Sequence, residues 1–235
     1  MKQMQRGFTL VEIAIVLVII GLLLGGILKG QELITNAKVR NVADQQNAVK
    51  AAVYAFQDRY RALPGDFTQG NASIPNSVAA CDAATSNAKI DTAKKAICAW
   101  HHLANAGFIS CAVCSTDHSG DSEPASTNSP VNAFNGAMAL YWDKDFNDAA
   151  GTATEVNNLK SGSQIPSSVL AEVDRKIDDG NPSTGTFRFS NNGTSMPSNL
   201  TSGAGKCTGN GSGSATSPLW SQATSESNCG AATFM

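Results

Sequence analysis

From Phe8 to Leu28 the chain is apolar at nearly every position, and its only charge is Glu12. About 20 such residues suffice to span a bilayer as a helix. After Lys29 the pattern changes. Ile34, Val42, Val49, Val53, Phe56 and Tyr60 recur near the spacing of one helical face. Lys38, Arg40, Asp44, Gln45, Lys50 and Asp58 supply the polar positions around it. The pattern breaks at Leu63-Pro64-Gly65. Together these features predict one helix from about Phe8 to about Ala62, ~80 Å long at about 1.5 Å per residue. Its first half is uniformly apolar and its second half amphipathic.

Beyond Pro64 the chain turns to Ala, Ser, Thr, Asn and Gly. Residues 66–87 read as loop. Ile97, Trp100, Leu103 and Ala104 predict a helix over Asp91–Ala106, stopped by Gly107. Ala137–Trp142 alternates as a half-buried strand. Ser167–Ile177 reads as a short helix ending before Gly180, and Thr186–Asn191 as a strand. The Gly/Ser/Thr-rich tail from Asn192 reads as an exposed loop with a last strand at Ala231–Phe234.

Composition narrows the function. The formal net charge is −2, without the basic stripe that a nucleic-acid surface requires, so no specific nucleic-acid partner is expected. The cysteines are Cys81, Cys98, Cys111, Cys114, Cys207 and Cys229, all beyond the apolar segment. An even count behind an export-like N-terminus favours disulfides in an oxidising compartment.

Lys2 and Arg6 precede the apolar run, which keeps the first residues cytoplasmic. A secretory signal fits poorly, because the run is long and no clear small-x-small site closes it. A plain anchor leaves Glu12 unexplained, since an acid in a span is costly. The stretch "RGFTLVEIAIVLVIIGLL" closely resembles the signature of type IV prepilins. The resemblance implies cleavage after Gly7 by a prepilin peptidase, N-methylation of Phe8, and a role for Glu12 in assembly. It divides the chain into a leader (1–7), a membrane and filament-core helix (8–28), the amphipathic half of that helix (29–62) and a soluble head (63–235). Gly21, Gly25, Gly26 and Gly30 suit close helix packing or local melting of the helix in a filament. Where many members of the family carry a proline, this chain has Lys29.

The segments "YRALPGDF", "AWHHLANAGFIS" and "DRKIDDGNPSTG" look like those of larger pilin-like proteins. They imply an α+β pilin fold: the long helix packed on a small antiparallel sheet, with disulfide-bonded loops. The expected pairs are Cys207–Cys229, Cys81–Cys98 and Cys111–Cys114. The first would match the C-terminal disulfide loop of many pilins, and Cys98 has either neighbour as an alternative partner. The expected function is a structural subunit of a type IV pilus or similar filament, assembled from copies of itself and other pilins. The precursor is expected in a bacterial inner membrane and the product in an extracellular pilus or a periplasmic pseudopilus. Alternatives are a pseudopilin of type II secretion, or a minor or tip pilin acting as an adhesin or binding module. The chain is larger than typical major pilins with leaders this short, which points toward a minor or tip subunit or an unusual major one.

Other chemistry is thinner. Cys98, His101, His102, Cys111, Cys114 and His118 cluster in sequence and suit disulfides, half a zinc site or a redox pair. Neighbouring histidines on a helix are expected at its surface. Asp143, Asp145 and Asn147 begin like a calcium loop, but its later positions are wrong, so a solvated turn is expected. Asp174, Asp178 and Asp179 suit helix-end charges. Asn192, Asn199 and Asn210 match a glycan acceptor pattern. No Gly-x-Ser-x-Gly or phosphate loop occurs, and neither enzyme activity, cofactor nor metal is expected.

Overall fold

The computed structural model describes residues 10–116, 120, 123–190, 207–209, 219–222 and 227–235. Contacts divide it into Met1–Lys38 and Val39–Met235. Helix α1 runs from Leu10 to Tyr60. Up to residue 29 every described position is exposed, and no part of this apolar stretch is buried. By length and composition it is able to cross a membrane.

Within the second unit α1 buries Val39, Val42, Ala43, Gln46, Val49, Ala52, Val53 and Phe56. This stripe differs in part from the one the apolar pattern predicts. Ile34 is 60% exposed, while Val39 and the small or polar Ala43, Gln46 and Ala52 are inside. Alanine and glutamine give little hydrophobic signal, which is why the pattern passed over them.

α1 stops at Tyr60. Arg61 adopts φ 54° and Gly65 φ 83°. Gly65 is required for a second reason: a Cβ there would run into the Lys95 carbonyl. The chain then winds through a short helix α2 (Gly70–Ser73) and a 3-10 turn at Ala79–Cys81. Helix α3 spans Ala93–Asn105, with the Thr92 side chain accepting a hydrogen bond from the Lys95 amide. Its residues from Ala96 to Leu103 are all buried. A second 3-10 turn follows at Val113–Ser115.

The four strands are β1 (Ala139–Asp143), β2 (Val156–Lys160), β3 (Phe187–Phe189) and β4 (Ala231–Phe234). They form one antiparallel sheet in the order β1-β2-β4-β3. Helix α4 (Ser167–Ile177) links β2 to β3. The molecule is therefore α+β, a long helix with a small antiparallel sheet.

Strand β2 was not foreseen. Its sequence Val-Asn-Asn-Leu-Lys looks polar, yet it pairs on both sides. Each polar side chain finds a partner. Asn157 accepts from the Ile90 amide and donates to the Ala88 carbonyl. Asn158 donates to Asp143, and so does the fully buried Lys160. A buried polar group is tolerated when its hydrogen bonds are made.

Two cores lie along α1. One joins Val49, Ala52, Val53 and Phe56 to Trp100 and Leu103 of α3 and to Leu140 and Leu159 of the sheet. The other joins Val39, Val42 and Ala43 to Leu170 and Val173 of α4, Phe187, Phe189 and Ala231, and to Cys207, Trp220 and Cys229 of the tail. Between them, Gln46 accepts a hydrogen bond from Thr233 at 2.8 Å. The tail is thus not all exposed loop: Trp220 is 4% exposed and Cys229 fully buried. An aromatic ring of this size gains about 1.5–3 kcal/mol by burial, enough to fold a polar segment onto the core.

Candidate functional site

Glu12 lies in the first turn of α1 and is exposed. Gly7 and Phe8 lie outside the described residues, as do His118, Asn192, Asn199 and Asn210. From Leu10 to Leu28 the surface is aliphatic on every side, with Leu10 88% and Leu22 73% exposed. Side chains added at Gly21, Gly25, Gly26 or Gly30 would meet nothing, so these glycines serve no packing within the described chain.

In the second unit all six cysteines are bonded, as Cys81–Cys98, Cys111–Cys114 and Cys207–Cys229. The first ties the 3-10 turn to α3, the second closes the turn after it, and the third clasps the tail against β4. Their sulfurs are therefore not thiolate ligands.

His101 and His102 do not lie at the surface as expected; both are fully buried. Helix α3 is packed on every side, so it has no solvent face at these positions. The His101 Nδ1 lies 3.1 Å from the carbonyls of Cys114 and Thr116. The His102 Nδ1 accepts from the Gly65 amide at 3.1 Å, and its ring stacks on Phe56. Burial, helped by His101, pulls the His102 pKa down to about 4, so it is neutral at physiological pH. The pair braces α3 against α1 and the loop after it.

The segment Asp143–Asn147 is not a solvated turn either. Lys160 Nζ sits 2.8 Å from the Asp143 carboxylate and 3.1 Å from the Asp145 carbonyl. An internal ammonium thus occupies the oxygen cradle that the sequence suggested for calcium. Burial holds the Lys160 pKa below its usual value, with Asp143 opposing. Phe146 packs on Phe234, and Arg188 reaches over both rings to pair with Asp148 at 2.9 Å. The lone lysine in Val-Asn-Asn-Leu-Lys carried no signal of this role.

Asp174, Asp178 and Asp179 do come together, with oxygens within 4.8 Å of one another. All three are engaged by protein donors. Asp174 accepts from the Gly180 amide and from the Trp220 indole at 2.6 Å. Asp178 accepts from the amides of Thr186 and Phe187, and Asp179 from that of Asn181. Burial pushes the Asp174 pKa up to about 6, with Asp179 and Asp178 adding to it and the two hydrogen bonds opposing. Trp220 was the residue sequence reading missed here, because it stands in a tail rich in Gly, Ser and Thr.

No curated protein and no solved structure matches the chain. Residues 2–28 match the family model described as the prokaryotic N-terminal methylation motif. This motif is typical of type IV pilins and pseudopilins, and the long apolar helix that follows it fits.

Proposed function

We propose that the chain is the structural subunit of a type IV pilus or pilus-like filament. The single observation behind this reading is an aliphatic helix surface, exposed from Leu10 to Leu28, that carries the methylation motif at its start. Such a surface is stable only in a bilayer or against like helices. The prepilin peptidase cuts after Gly7, residues 8–28 anchor the precursor in the inner membrane, and the same residues then form the filament core. Residues 29–62 continue the helix, and residues 63–235 form the head outside the core. The role is structural, not catalytic.

Glu12 supplies the register. Cleavage frees a cationic amine on Phe8, which is then methylated. Glu12 follows four residues on, ~6 Å along a helix axis. In a parallel bundle with an axial offset, the amine of one subunit reaches Glu12 of its neighbour. That pairing offsets the cost of carrying both charges into hydrocarbon. Replacing Glu12→Gln is expected to leave membrane insertion intact and to abolish filaments in electron micrographs. Normal filaments from that variant would overturn the reading. Deletion of the gene separates the roles: loss of all filaments marks a major subunit, fewer filaments a minor or tip subunit, and failed secretion with intact filaments a pseudopilin.

A further inference from the structure

Asn158 and Lys160 stand two residues apart on β2, so their side chains share one face of the sheet. Both are fully buried. One oxygen holds them together: Asp143 Oδ1 accepts from Lys160 Nζ at 2.8 Å and from Asn158 Nδ2 at 3.0 Å. The Asp145 amide donates to the same oxygen at 3.1 Å and fixes the carboxylate between them. The Asn158 amide has only one sensible orientation. Its nitrogen meets acceptors alone, Asp143 and the Val156 carbonyl at 3.0 Å. Its oxygen is buried and has no hydrogen bond among the described residues. Phe146 walls the site, its ring centroid 5.9 Å from Nζ. An ion pair accounts for Lys160 and Asp143. It does not account for a buried amide beside them whose carbonyl has no donor, an arrangement that costs stability.

We propose that Lys160 and Asn158 are a self-modification site: their side chains join in an intramolecular isopeptide bond, with Asp143 as the proton shuttle between them. Burial disfavours the ammonium against the pull of Asp143, which eases the transfer of a proton from Nζ to the carboxylate. The neutral amine is a nucleophile, and Asn158 Cγ is the electrophile beside it. The Nζ–Cγ bond forms and the Cγ–Nδ2 bond breaks. Asp143, in contact with both nitrogens, passes the protons drawn from Nζ to the departing one. The side chains end as a secondary amide, the leaving group departs as ammonium, and Asp143 returns to its carboxylate. Atoms and charge balance without oxidant, metal or second substrate. Asp143 also lines a cleft of about 390 Å³ with Trp142 and Asp145, which gives ammonium a way out and the remaining carboxylate contact with water. The bond removes a buried ammonium from an inner strand of the sheet and closes a covalent ring on it.

The test is tryptic peptide mapping by mass spectrometry of the full chain, purified in detergent, then reduced and alkylated. Trypsin is expected to skip Lys160, because its amine is acylated. The peptide that spans it should be lighter by one ammonia, about 17 Da, with the loss confined to Asn158–Lys160 in fragment spectra. Asp143→Asn removes the shuttle and should restore both cleavage and full mass. Lys160→Arg keeps a cation for Asp143 but has no amine nucleophile, and it serves if the first variant fails to fold. Its Asn158 should show full mass. A native chain of full mass that is cut at Lys160 would overturn the bond. So would loss of ammonia with Lys160 still cut, or loss that persists in Lys160→Arg, since both mark cyclisation of Asn158 onto the backbone. Loss of water in place of ammonia would show that Lys160 joins Asp143, and a bond formed equally in Asp143→Asn would show that no shuttle is used; either overturns the proposal as stated.

Discussion

The two halves of α1 share one backbone, yet the half richer in aliphatic residues is the one left exposed. From Leu10 to Leu28 the side chains are exposed and, Glu12 aside, apolar. From Val39 to Phe56 a single stripe is apolar or small, and that stripe is buried. The difference shows that hydrophobicity alone does not set burial within a chain. A helix with one apolar face is satisfied by one sheet and its flanking helices. A helix that is apolar all round needs partners on all sides, and a head of this size offers none.

That contrast can be broken most strongly at Phe56, which is fully buried against Tyr60, Phe67, Phe108 and His102. Phe56→Ala is expected to destabilise the head by about 3–5 kcal/mol in denaturant unfolding. Leu22→Ala, in the apolar half, should leave the same transition within about 0.5 kcal/mol. Equal effects from the two substitutions would mean that the exposed half contributes to the fold of the head.

Next in size is the clasp on the tail. Replacing Cys207 and Cys229 together by serine should cost about 3 kcal/mol, read as a lower unfolding midpoint. The same replacement of Cys111 and Cys114, which encloses a far shorter loop, should cost less, because fewer unfolded conformations are removed. The turn that ends α1 comes third. Gly65→Ala forces an L-residue to φ 83° and into the Lys95 carbonyl, at a cost of about 1–3 kcal/mol by thermal melting.

The smallest effect is on pH. The folded pKa of Asp174, about 6, lies above the ordinary 3.8. A raised carboxyl stabilises the folded head when protonated. This group's contribution is therefore complete below about pH 4 and lost as pH rises through about 6. Comparing the unfolding midpoints of the native chain and Asp174→Asn between pH 4 and 7 isolates it. A difference that is flat across that window would show that this carboxyl does not couple to folding.

Much of the fold was legible. Helix α4 and strand β4 fall where periodicity placed them, and α1 ends within two residues of the predicted break, because these segments carry regular patterns and clear stop signals. Strand β2 was hidden because its Val-Asn-Asn-Leu-Lys sequence does not alternate apolar with polar residues. Asn158 and Lys160 are buried only because the Asp143 carboxylate accepts from both. The burial of His101 and His102 was equally invisible, since it depends on α3 being enclosed on all sides. Trp220 was passed over in a tail of loop-forming residues, although a lone tryptophan in such a segment is itself a cue to burial.

The sequence by itself determined the N-terminal half: a methylation motif, an apolar run and one acid, all local patterns that need no partner within the chain to be read. The tertiary structure alone decided which polar groups go inside. Lys160 with Asp143, Gln46 with Thr233 and Asp174 with Trp220 are pairs separated by 17, 187 and 46 residues. The burial of each is tolerable only because the other is there, and no local pattern encodes that meeting.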